Sequence, residues 1–375
     1  MNQTITPWEV KGEIDYNKLI KEFGVSKIDK KLLERLEKIA KKKNMKLHHF
    51  LTREIFIAHR DLDFFLNEYE KGNKVFLYTG RGPSGEIHLG HAIPLMFTKY
   101  LQDLFDADLY FQFTDDEKFL FKKDLEMDKV SEYTKQNMLD VIAFGFDPKK
   151  THFIIDTVHA NLLYPEAIKV AKKITFSTVK AVFGFTNETN IGSIFFTSMQ
   201  AVPAFLPCKL KNRKMACLIP HAIDQDPHFR VTRDILPKLG YYKPSSIQCR
   251  FLPGLQGIKN GKMSSSEGFS INMSDDPKTV KNKINKYAFS GGKATLEEHR
   301  KHGGNPDIDV SYQWLVFFEP DDKKLKKVYD DYRSGKLLSG ELKAILIEKI
   351  NQFLKEHQEK RKRAEKQLDS FVLRV

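Results

Sequence analysis

Residues 76 to 91 read FLYTGRGPSGEIHLGH, and this stretch decides the fold of the chain. It begins with apolar, strand-forming residues and continues into a loop where Gly80, Gly82 and Gly85 satisfy the pattern G-x-G-x-x-G. Glycine lets the backbone approach a phosphate, and the N-terminus of a following helix attracts negative charge. A glycine loop between a strand and a helix therefore predicts an α/β nucleotide-binding fold.

Strand-like and helix-like runs alternate beyond this stretch. They are VFLYT, a helix from about His91, DLYFQF, a helix from about Lys129 to Ala143, and THFIID. This alternation predicts a parallel sheet in a doubly wound, Rossmann-like fold, which binds ligands at the carboxyl ends of its strands. The stretch 243–261 is rich in loop-forming residues and leads out of the sheet, so we expect the domain boundary near residues 265–275.

The C-terminal third is predicted to be an α-helical domain. Four successive runs have helical character: DPKTVKNKINKYAF, DVSYQWLVFFE, KLKKVYDDYRSG and ELKAILIEKINQFLKEHQEKRKRAEKQL. In the last run Leu342, Leu346 and Ile350 recur at the spacing of one helix face. That face should be buried, and the lysines and arginines should face solvent.

The composition indicates a globular, cytoplasmic protein. The 375 residues are 41% hydrophobic, which is enough for a large core. No apolar run approaches the ~18 residues of a membrane span, and the N-terminus lacks the pattern of a signal peptide. Cys208, Cys217 and Cys249 are odd in number and lack C-x-x-C spacing, so we expect reduced thiols.

The net charge of +13 favours an anionic partner, since clustered lysines and arginines attract phosphate backbones. Residues 18–53 hold twelve Lys and Arg against four acidic residues, and Leu32, Leu36 and Ile39 recur at helical spacing. An amphipathic helix with a basic outer face is predicted here. Nucleic-acid contact and a merely solvated face both remain open for this helix.

His88 and His91 follow the glycine loop and are not part of the dinucleotide fingerprint. Two histidines are too few for a zinc site, and nothing nearby completes one, so we expect no protein-held metal. Asp103 lies about twenty residues beyond the loop, as a dehydrogenase requires, and this alternative stays open at this point. We expect both histidines at the helix N-terminus, because Pro94 is best tolerated in a first helical turn.

A second motif, Lys262-Met263-Ser264-Ser265-Ser266, lies in the loop GLQGIKNGKMSSSEG. A lysine among hydroxyls and glycines is suited to a mobile segment that brings a cation to a phosphate chain. By itself the motif is a short polar loop. Its occurrence some 170 residues after His-Leu-Gly-His, in a predicted α/β domain, favours a functional role.

H-x-G-H and K-M-S-x-S are the two signatures of class I aminoacyl-tRNA synthetases, and the chain resembles tryptophanyl-tRNA synthetases of the archaeal and eukaryotic type. The resemblance extends over almost the whole chain. It includes the blocks PWEV, SKIDKKLLERLE, HHFLTREIFIAHRD, TGRGPSGEIHLGH, FQFTDDEKF, LIPHAIDQDPHFRVTRD, KMSSS and AFSGGKATLEEHRKHGGNPDIDVSYQW. One departure is visible, because the family often has a small residue or cysteine where this chain has His221.

The resemblance implies a two-step reaction with ATP and Mg²⁺. Tryptophan is activated to its adenylate and then transferred to the 3′ end of its tRNA. The implied catalytic residues are His88, His91, Lys262 and Arg81. The implied ATP-binding residues are Gly80, Gly82, Gly90, Met263, Ser264 and Ser265. The implied tryptophan contacts are Tyr78, Gln112, Glu117, Lys118, Gln200 and Gln225, among which Tyr78 and Gln112 are suitable acceptors for the indole N–H, a group that only donates.

The same resemblance implies a domain organisation and partners. Residues 1–73 would be an extension packed on a Rossmann-like catalytic domain of the HUP type, 74–270, which carries a dimer-interface insertion around 145–195. Residues 271–375 would bind the anticodon. The implied partners are tryptophan, tRNA(Trp) and a second copy of the chain, with no membrane.

Three other interpretations compete with this one. A dehydrogenase would leave H-L-G-H, TDDEK and KMSSS without a role. A tyrosyl-tRNA synthetase shares both signatures but tends to have a G-F-E-P-S loop where this chain has TGRGPSG. A non-catalytic derivative of the enzyme is disfavoured by intact signatures.

Overall fold

A computed structural model describes residues 14–257, 263 and 269–374, together with the backbone of 4–5 and 10–11. The strands are β1 (Thr4–Ile5), β2 (Val10–Lys11), β3 (Ser26–Lys27), β4 (Phe56–Arg60), β5 (Val75–Arg81), β6 (Asp108–Phe113), β7 (Thr151–Ile155), β8 (Ala216–Ala222) and β9 (Ser245–Cys249). β1 and β2 pair with each other. The other strands form one sheet in the order β3-β4-β9-β8-β5-β6-β7.

Helices cover both faces of this sheet and make up the C-terminal third. They are α1 (Tyr16–Phe23), α2 (Lys30–Lys42), α3 (His49–Thr52), α4 (Leu62–Glu70), α5 (Leu89–Phe105), α6 (Asp115–Phe121), α7 (Met127–Ala143), α8 (Ala160–Ala171), α9 (Phe176–Phe183), α10 (Ile191–Met199), α11 (Leu206–Leu210), α12 (Asp226–Ile235), α13 (Pro277–Tyr287), α14 (Leu296–His302), α15 (Val310–Phe318), α16 (Asp322–Arg333), α17 (Ser339–Ala364) and α18 (Leu368–Phe371). Within the described ranges, no helix has both the length and the apolar character that crossing a bilayer requires.

The predicted doubly wound sheet is confirmed, but the expectation that the stretch 243–261 leads out of the sheet was wrong, because β9 lies within this stretch and pairs with β8 inside the sheet. Two further strands extend the sheet at its edge. Strands β9, β8, β5, β6 and β7 run parallel, whereas β3 and β4 pair antiparallel to their neighbours. The segment before residue 74 thus adds two strands to the sheet, which the sequence analysis did not predict. An antiparallel edge on a parallel sheet is common, and strands this short carry little periodicity.

A crevice opens where the strand order reverses. From β5 the chain adds β6 and β7 on one side, and then β8 and β9 on the other. The β5–β8 ladder ends at the pair Leu77 and Leu218, whereas the β5–β6 ladder continues to Arg81 and Phe113. Strands β5 and β8 therefore separate at their carboxyl ends. In a doubly wound sheet this switch point is the expected ligand site.

Alternating side chains of the strands enter two hydrophobic cores on opposite faces of the sheet. Leu77 of β5 belongs to the first core, which includes apolar residues of α2, α4, α5, α7, α13, α15 and α17. Phe76 and Tyr78 of β5 belong to the second core, which includes apolar residues of α8 to α12. Burial on both faces explains why these strands read as continuous apolar runs.

The helix after the glycine loop begins at Leu89, slightly earlier than predicted, and Pro94 lies in its second turn rather than its first. The cap is His88, whose Nδ1 accepts a hydrogen bond from the backbone N–H of Gly90 at 3.1 Å. Both histidines thus lie at the helix N-terminus, as predicted, since His91 is the third residue of the helix. Only the expected first-turn position of Pro94 was wrong, because a histidine cap gives no sequence signal comparable to that of Ser, Thr, Asp or Asn.

The long helix α17 joins the C-terminal helices to the sheet region. It buries Leu342, Leu346 and Ile350, the face that the sequence predicted. Near its end, His357 Nε2 lies 3.1 Å and Arg361 Nε lies 2.7 Å from Asp140 Oδ1 on α7. Apolar packing and this polar cluster together fix the helical segment against α7.

Candidate active site

A cavity of about 270 Å³ lies in the crevice between β5 and β8; we call it the central cavity. Most of the predicted site residues line it. They are Gly80, Arg81, Gly82, His88, Gly90, His91, Glu117, Lys118, Gln200, Gln225 and Met263. The structure thus brings together residues from the glycine loop, from α5 and α6, and from the segments after α10 and β8.

The two signature motifs are adjacent in space. Met263 is buried, and its backbone N–H donates to the carbonyl of Leu252 at 3.1 Å. A Cβ atom added at Gly90 would lie 3.0 Å from Cε1 of His88 and 3.5 Å from the Cβ of Met263, so Gly90 lies between these two residues and a side chain there would crowd the His88 ring. The predicted residues Lys262, Ser264 and Ser265 lie outside the described residues.

The two histidines of the first motif have different hydrogen-bonding roles. Because His88 Nδ1 accepts from Gly90, its Nε2 is the nitrogen that carries the proton. His91 Nε2 lies 3.0 Å from Arg81 Nη1, and His91 Nδ1 lies 3.3 Å from the backbone N of His88. Both of these neighbours only donate and a neutral imidazole has one acceptor nitrogen, so His91 accepts one of the two hydrogen bonds at a time. The rings stack with centroids 3.5 Å apart. His88 Nε2–H is therefore a hydrogen-bond donor at the N-terminus of α5.

Arg81 is held in position by a residue that the sequence analysis missed. Its Nε donates to Asn137 Oδ1 at 3.1 Å, and Asn137 Nδ2 donates to the carbonyl of Gly85 at 2.9 Å. Burial lowers the pKa of Arg81 to about 10, while the charges of Glu117 and Asp140 oppose that shift. The guanidinium is charged at neutral pH. Asn137 lies on the buried face of α7, where a polar residue was the only available sequence signal.

Glu117 and Lys118 form an ion pair on the cavity wall. Glu117 Oε1 accepts from Lys118 Nζ at 2.7 Å, and Glu117 Oε2 accepts from Thr114 Oγ1 at 2.7 Å. Burial alone would raise the pKa of Glu117, but the Lys118 ammonium and these hydrogen bonds outweigh it, so the pKa is lowered. With Asp224, the cavity wall therefore offers two carboxylates beside cationic and N–H donor groups.

Tyr78 and Gln112 do not line the central cavity; they are fully buried behind it. The Tyr78 hydroxyl donates to Gln112 Oε1 at 2.5 Å and accepts from Gln200 Nε2 at 3.1 Å. Gln200, which does line the cavity, thus connects it to the buried pair. Gln112 Nε2 donates to the carboxyl group of Asp156, a buried residue absent from the prediction.

Gly80 has a specific steric role between β5 and β6. A Cβ atom there would lie 2.7 Å from the backbone carbonyl oxygen of Gln112, with which Gly80 is paired in the ladder. Neither strand can move away without breaking the sheet. The missing side chain thus serves the approach of two strands as well as leaving the crevice open.

The segment after β8 supplies further cavity residues that the prediction did not assign individually, including His221, Asp224, His228 and Phe229. Burial lowers the pKa of His228 to about 4, so this imidazole is neutral at physiological pH. The sequence signal was the block LIPHAIDQDPHF, which combines a strand with several polar residues at its carboxyl end.

The fold and this site define a class of protein. The family model described as tRNA synthetases class I (W and Y) matches residues 70–355. The chain belongs to this family.

Relatives within the family are similar over nearly the full chain. A tryptophan–tRNA ligase of Sulfolobus acidocaldarius is 52% identical, over 98% of this chain and 94% of its own length. One of Pyrococcus furiosus is 50% identical, over 98% and 93%. A crystal structure of Plasmodium falciparum tryptophanyl-tRNA synthetase has a TM-score of 0.90 at 44% identity, covering 96% of this chain and 98% of its own.

Proposed function

We propose that the chain is an ATP-dependent tryptophan–tRNA ligase. It activates L-tryptophan with ATP to tryptophanyl-adenylate and pyrophosphate, and then transfers tryptophan to the 3′-terminal ribose of tRNA(Trp). The observation that carries the proposal is the central cavity, where the H-x-G-H helix end meets Met263 of the second signature. Relatives at about half identity that are named tryptophan–tRNA ligases support the choice of amino acid.

Activation requires positioning and charge neutralisation rather than a general base. The carboxylate of tryptophan is ionised at neutral pH, and it attacks the α-phosphate while pyrophosphate leaves. His88 and the N-terminus of α5 donate hydrogen bonds to phosphate oxygens. Arg81 adds a positive charge, and its hydrogen bond to Asn137 fixes the orientation of the guanidinium. Lys262, Ser264 and Ser265 bind the departing pyrophosphate in this proposal.

Magnesium enters the proposal with the nucleotide. In the part of the chain that the structure describes, no group of three or more His, Cys, Asp and Glu side chains is arranged to hold a metal ion. The cavity's charged groups are mainly cationic, which suits phosphates. A Mg²⁺ ion would take its ligands chiefly from phosphate oxygens and water, as is usual for this hard cation.

Tryptophan binds at the second-core side of the crevice in this proposal. The hydrogen-bonded group of Tyr78, Gln112 and Gln200 supplies the polar contacts for the indole N–H. Glu117 pairs with the substrate ammonium, which competes with Lys118 for the carboxylate. Gln225 completes the contacts at the end of the segment after β8.

A homodimer is supported by exposed apolar residues in the proposed interface insertion. Within 145–195 five large apolar side chains are between 42% and 84% exposed: Val158, Tyr164, Ile168, Phe176 and Ile191. Exposed apolar residues concentrated in one segment mark interaction surfaces. Replacing Ile191 by Glu should shift the chain from dimer to monomer in light scattering, whereas the same change at Leu296, 62% exposed on α14, should not.

The remaining parts of the chain receive roles from the same proposal. Residues 74–270 carry catalysis, and residues 1–73 pack on them, as β3, β4 and the buried face of α2 support. Residues 271–375 bind the anticodon by contacts to unpaired bases. The net charge of +13 suits the RNA partner. We infer that the reaction takes place in the cytoplasm.

Pyrophosphate exchange tests the proposal directly. Labelled pyrophosphate should enter ATP when tryptophan is present and not when tyrosine replaces it. Total tRNA should then accept tryptophan alone among the twenty amino acids. Charging with tyrosine would replace the proposal by the other specificity of the family, and nicotinamide binding without exchange would refute it altogether.

A further inference from the structure

His221 has an acceptor atom in the central cavity that lacks a partner. The side chain lies near the end of β8, is only 4% exposed and lines the cavity. Its Nδ1 lies 2.9 Å from the carbonyl oxygen of Ala222. Its Nε2 is buried and has no hydrogen-bond partner among the residues that the structure describes.

The proton position follows from these contacts. A carbonyl oxygen only accepts, so Nδ1 carries the hydrogen. Burial lowers the pKa of His221, which keeps the imidazole neutral. Nε2 therefore presents a lone pair. A buried acceptor without a partner is costly and rare in folded proteins, and a ligand that donates a hydrogen bond would remove that cost.

The position of His221 indicates which ligand reaches it. On β8 it alternates with Cys217 and Ile219, whose side chains belong to the second core together with Tyr78. Its ring lies 4.7 Å from that of Phe229, which in turn lies 5.9 Å from that of Tyr78. The amino-acid side of the proposed active site is on this face of the sheet.

One residue of each signature motif packs on the other face. Leu89 of the H-x-G-H motif and Met263 belong to the first core. His221 and Gly80 lie beyond Leu218 and Leu77, the last pair of the β5–β8 ladder, and both line the central cavity, so they border the crevice from opposite sides.

We propose that His221 Nε2 accepts a hydrogen bond from bound tryptophan, from either its indole N–H or its α-ammonium group, and thereby contributes to amino-acid selection. This inference rests on the proposed function, because it presumes that tryptophan is the substrate. It assigns a role to the position where this chain departs from the small residue or cysteine of the family pattern.

Two substitutions of His221 test the role of Nε2 separately from that of Nδ1. His221→Asn keeps an amide donor near the position of Nδ1 and removes the acceptor at Nε2, whereas His221→Gln places an amide oxygen near the position of Nε2. His221→Asn should raise the Kd for tryptophan about tenfold, the effect of one lost hydrogen bond to a buried group, with the KM for ATP unchanged. His221→Gln should restore most of the affinity.

His159→Asn is the matched control. His159 is 8% exposed and lies outside the central cavity, with Nε2 3.0 Å from the carbonyl oxygen of Leu373. Its replacement should lower thermal stability and leave the Kd for tryptophan unchanged. If His221→Asn and His159→Asn weakened tryptophan binding equally, the effect would be general destabilisation and the inference would fail.

Calorimetric titration with two analogues distinguishes the two donors. Benzothienylalanine lacks the indole N–H, and indole-3-propionate lacks the ammonium group. If the indole N–H is the donor, His221→Asn binds benzothienylalanine as tightly as the wild type does. If the ammonium is the donor, the same holds for indole-3-propionate.

The failure of the inference is distinguishable from that of the proposed function. A wild-type protein without tryptophan-dependent pyrophosphate exchange would refute the proposed function. An active wild type with an unchanged Kd for tryptophan in His221→Asn would refute only the role of His221. A rise in the KM for ATP alone would also refute it, since the acceptor would then contact the nucleotide.

Discussion

Gln112 Nε2 lies 2.8 and 2.9 Å from the two carboxyl oxygens of Asp156. This contact fixes the orientation of the Gln112 amide, whose oxygen accordingly faces the Tyr78 hydroxyl. Burial raises the pKa of Asp156 well above its usual range, and the neighbouring charge of Asp116 adds to the shift. Asp156 is therefore a neutral acid, and its hydrogen bond with Asp116 holds the proton.

Because Asp156 is neutral, its amide analogue should replace it well. Asp156→Asn retains an oxygen that accepts from Gln112 and an N–H that donates to Asp116, so we expect a KM for tryptophan close to that of the wild type. Asp156→Leu should raise this KM by about tenfold, since the Gln112 amide loses its partner and its fixed orientation. The kinetics of tryptophan-dependent pyrophosphate exchange give the KM for tryptophan of both variants. Equal damage in both would mean that Asp156 is ionised.

Gln112→Ala should raise the KM for tryptophan and weaken the rejection of phenylalanine and tyrosine. The substitution removes the oxygen that accepts from Tyr78 and leaves that hydroxyl without this partner, at a cost of about 1 to 3 kcal/mol. The ratio of kcat/KM for tryptophan to that for tyrosine measures the effect. Unchanged tryptophan kinetics would remove Gln112 from the substrate pocket.

Asn137→Ala should slow adenylate formation about tenfold while leaving tryptophan affinity nearly unchanged, because it releases Arg81 from its fixed direction. Stopped-flow measurement of adenylate formation gives the rate, and equilibrium titration gives the affinity. Gln136→Ala is the matched control on the same helix. Gln136 Oε1 accepts from Arg361 Nη2 at 2.6 Å, outside the central cavity, so its loss should not affect the rate.

Asp116 should make stability fall as pH rises from about 4 to 6. Burial raises the pKa of Asp116 from 3.8 to about 6, and the charges of Asp115 and Glu117 add to this shift. Hydrogen bonds with Asp156 and with the backbone of Glu117 oppose it but are outweighed. The folded state therefore binds a proton that the unfolded state has released in this range, so the free energy of unfolding decreases with pH.

Urea denaturation at several pH values measures this slope. Asp116→Asn should remove it and should be more stable than the wild type at pH 7, because the amide oxygen still accepts from the Glu117 backbone N–H. Parallel curves for the two proteins between pH 4 and 6 would contradict the assignment.

Asp140→Ala should lower the free energy of unfolding by about 2 to 3 kcal/mol, because Asp140 Oδ1 accepts hydrogen bonds from both His357 and Arg361 of α17. Glu365→Ala is the control between the same parts of the chain. The exposed pair Lys135 and Glu365 is 3.8 Å apart, and its loss should change stability by less than about 0.5 kcal/mol. Urea denaturation compares the two variants, and equal effects would show that the Asp140 cluster adds nothing beyond a surface contact.

Patterns of apolar residues along the sequence predicted the strands and helices whose side chains are buried in a regular way. Strands β5, β6 and β7 were found because they are buried on both faces, which requires uninterrupted apolar residues. Helix α17 was found because one face of it is buried over its length. The edge strands β3 and β4 were missed; Ser26–Lys27 of β3 is two residues long and entirely exposed, so it carries no apolar pattern.

The candidate site was predicted only where residues occur in recognisable motifs. The glycine loop and His88, Gly90 and His91 were found in this way, and most of them line the central cavity. Asn137 and Asp156 were missed because a single buried polar residue belongs to no recognisable motif. Their roles depend on the residues that they contact, Arg81 for Asn137 and Gln112 for Asp156, and these residues are distant in the sequence.

From the sequence it was possible to predict the parallel core strands β5, β6 and β7, the helical C-terminal third and the chemical character of the glycine loop, because apolar periodicity and motif spacing are local properties of the chain. The three-dimensional structure was needed to show that Tyr78 and Gln112 lie behind the cavity wall, that Asp156 sets the orientation of the Gln112 amide, and that His221 Nε2 has no hydrogen-bond partner among the residues that the structure describes. These are relations between strands far apart in the chain. They depend on the strand order and on the ladder that ends at Leu77 and Leu218.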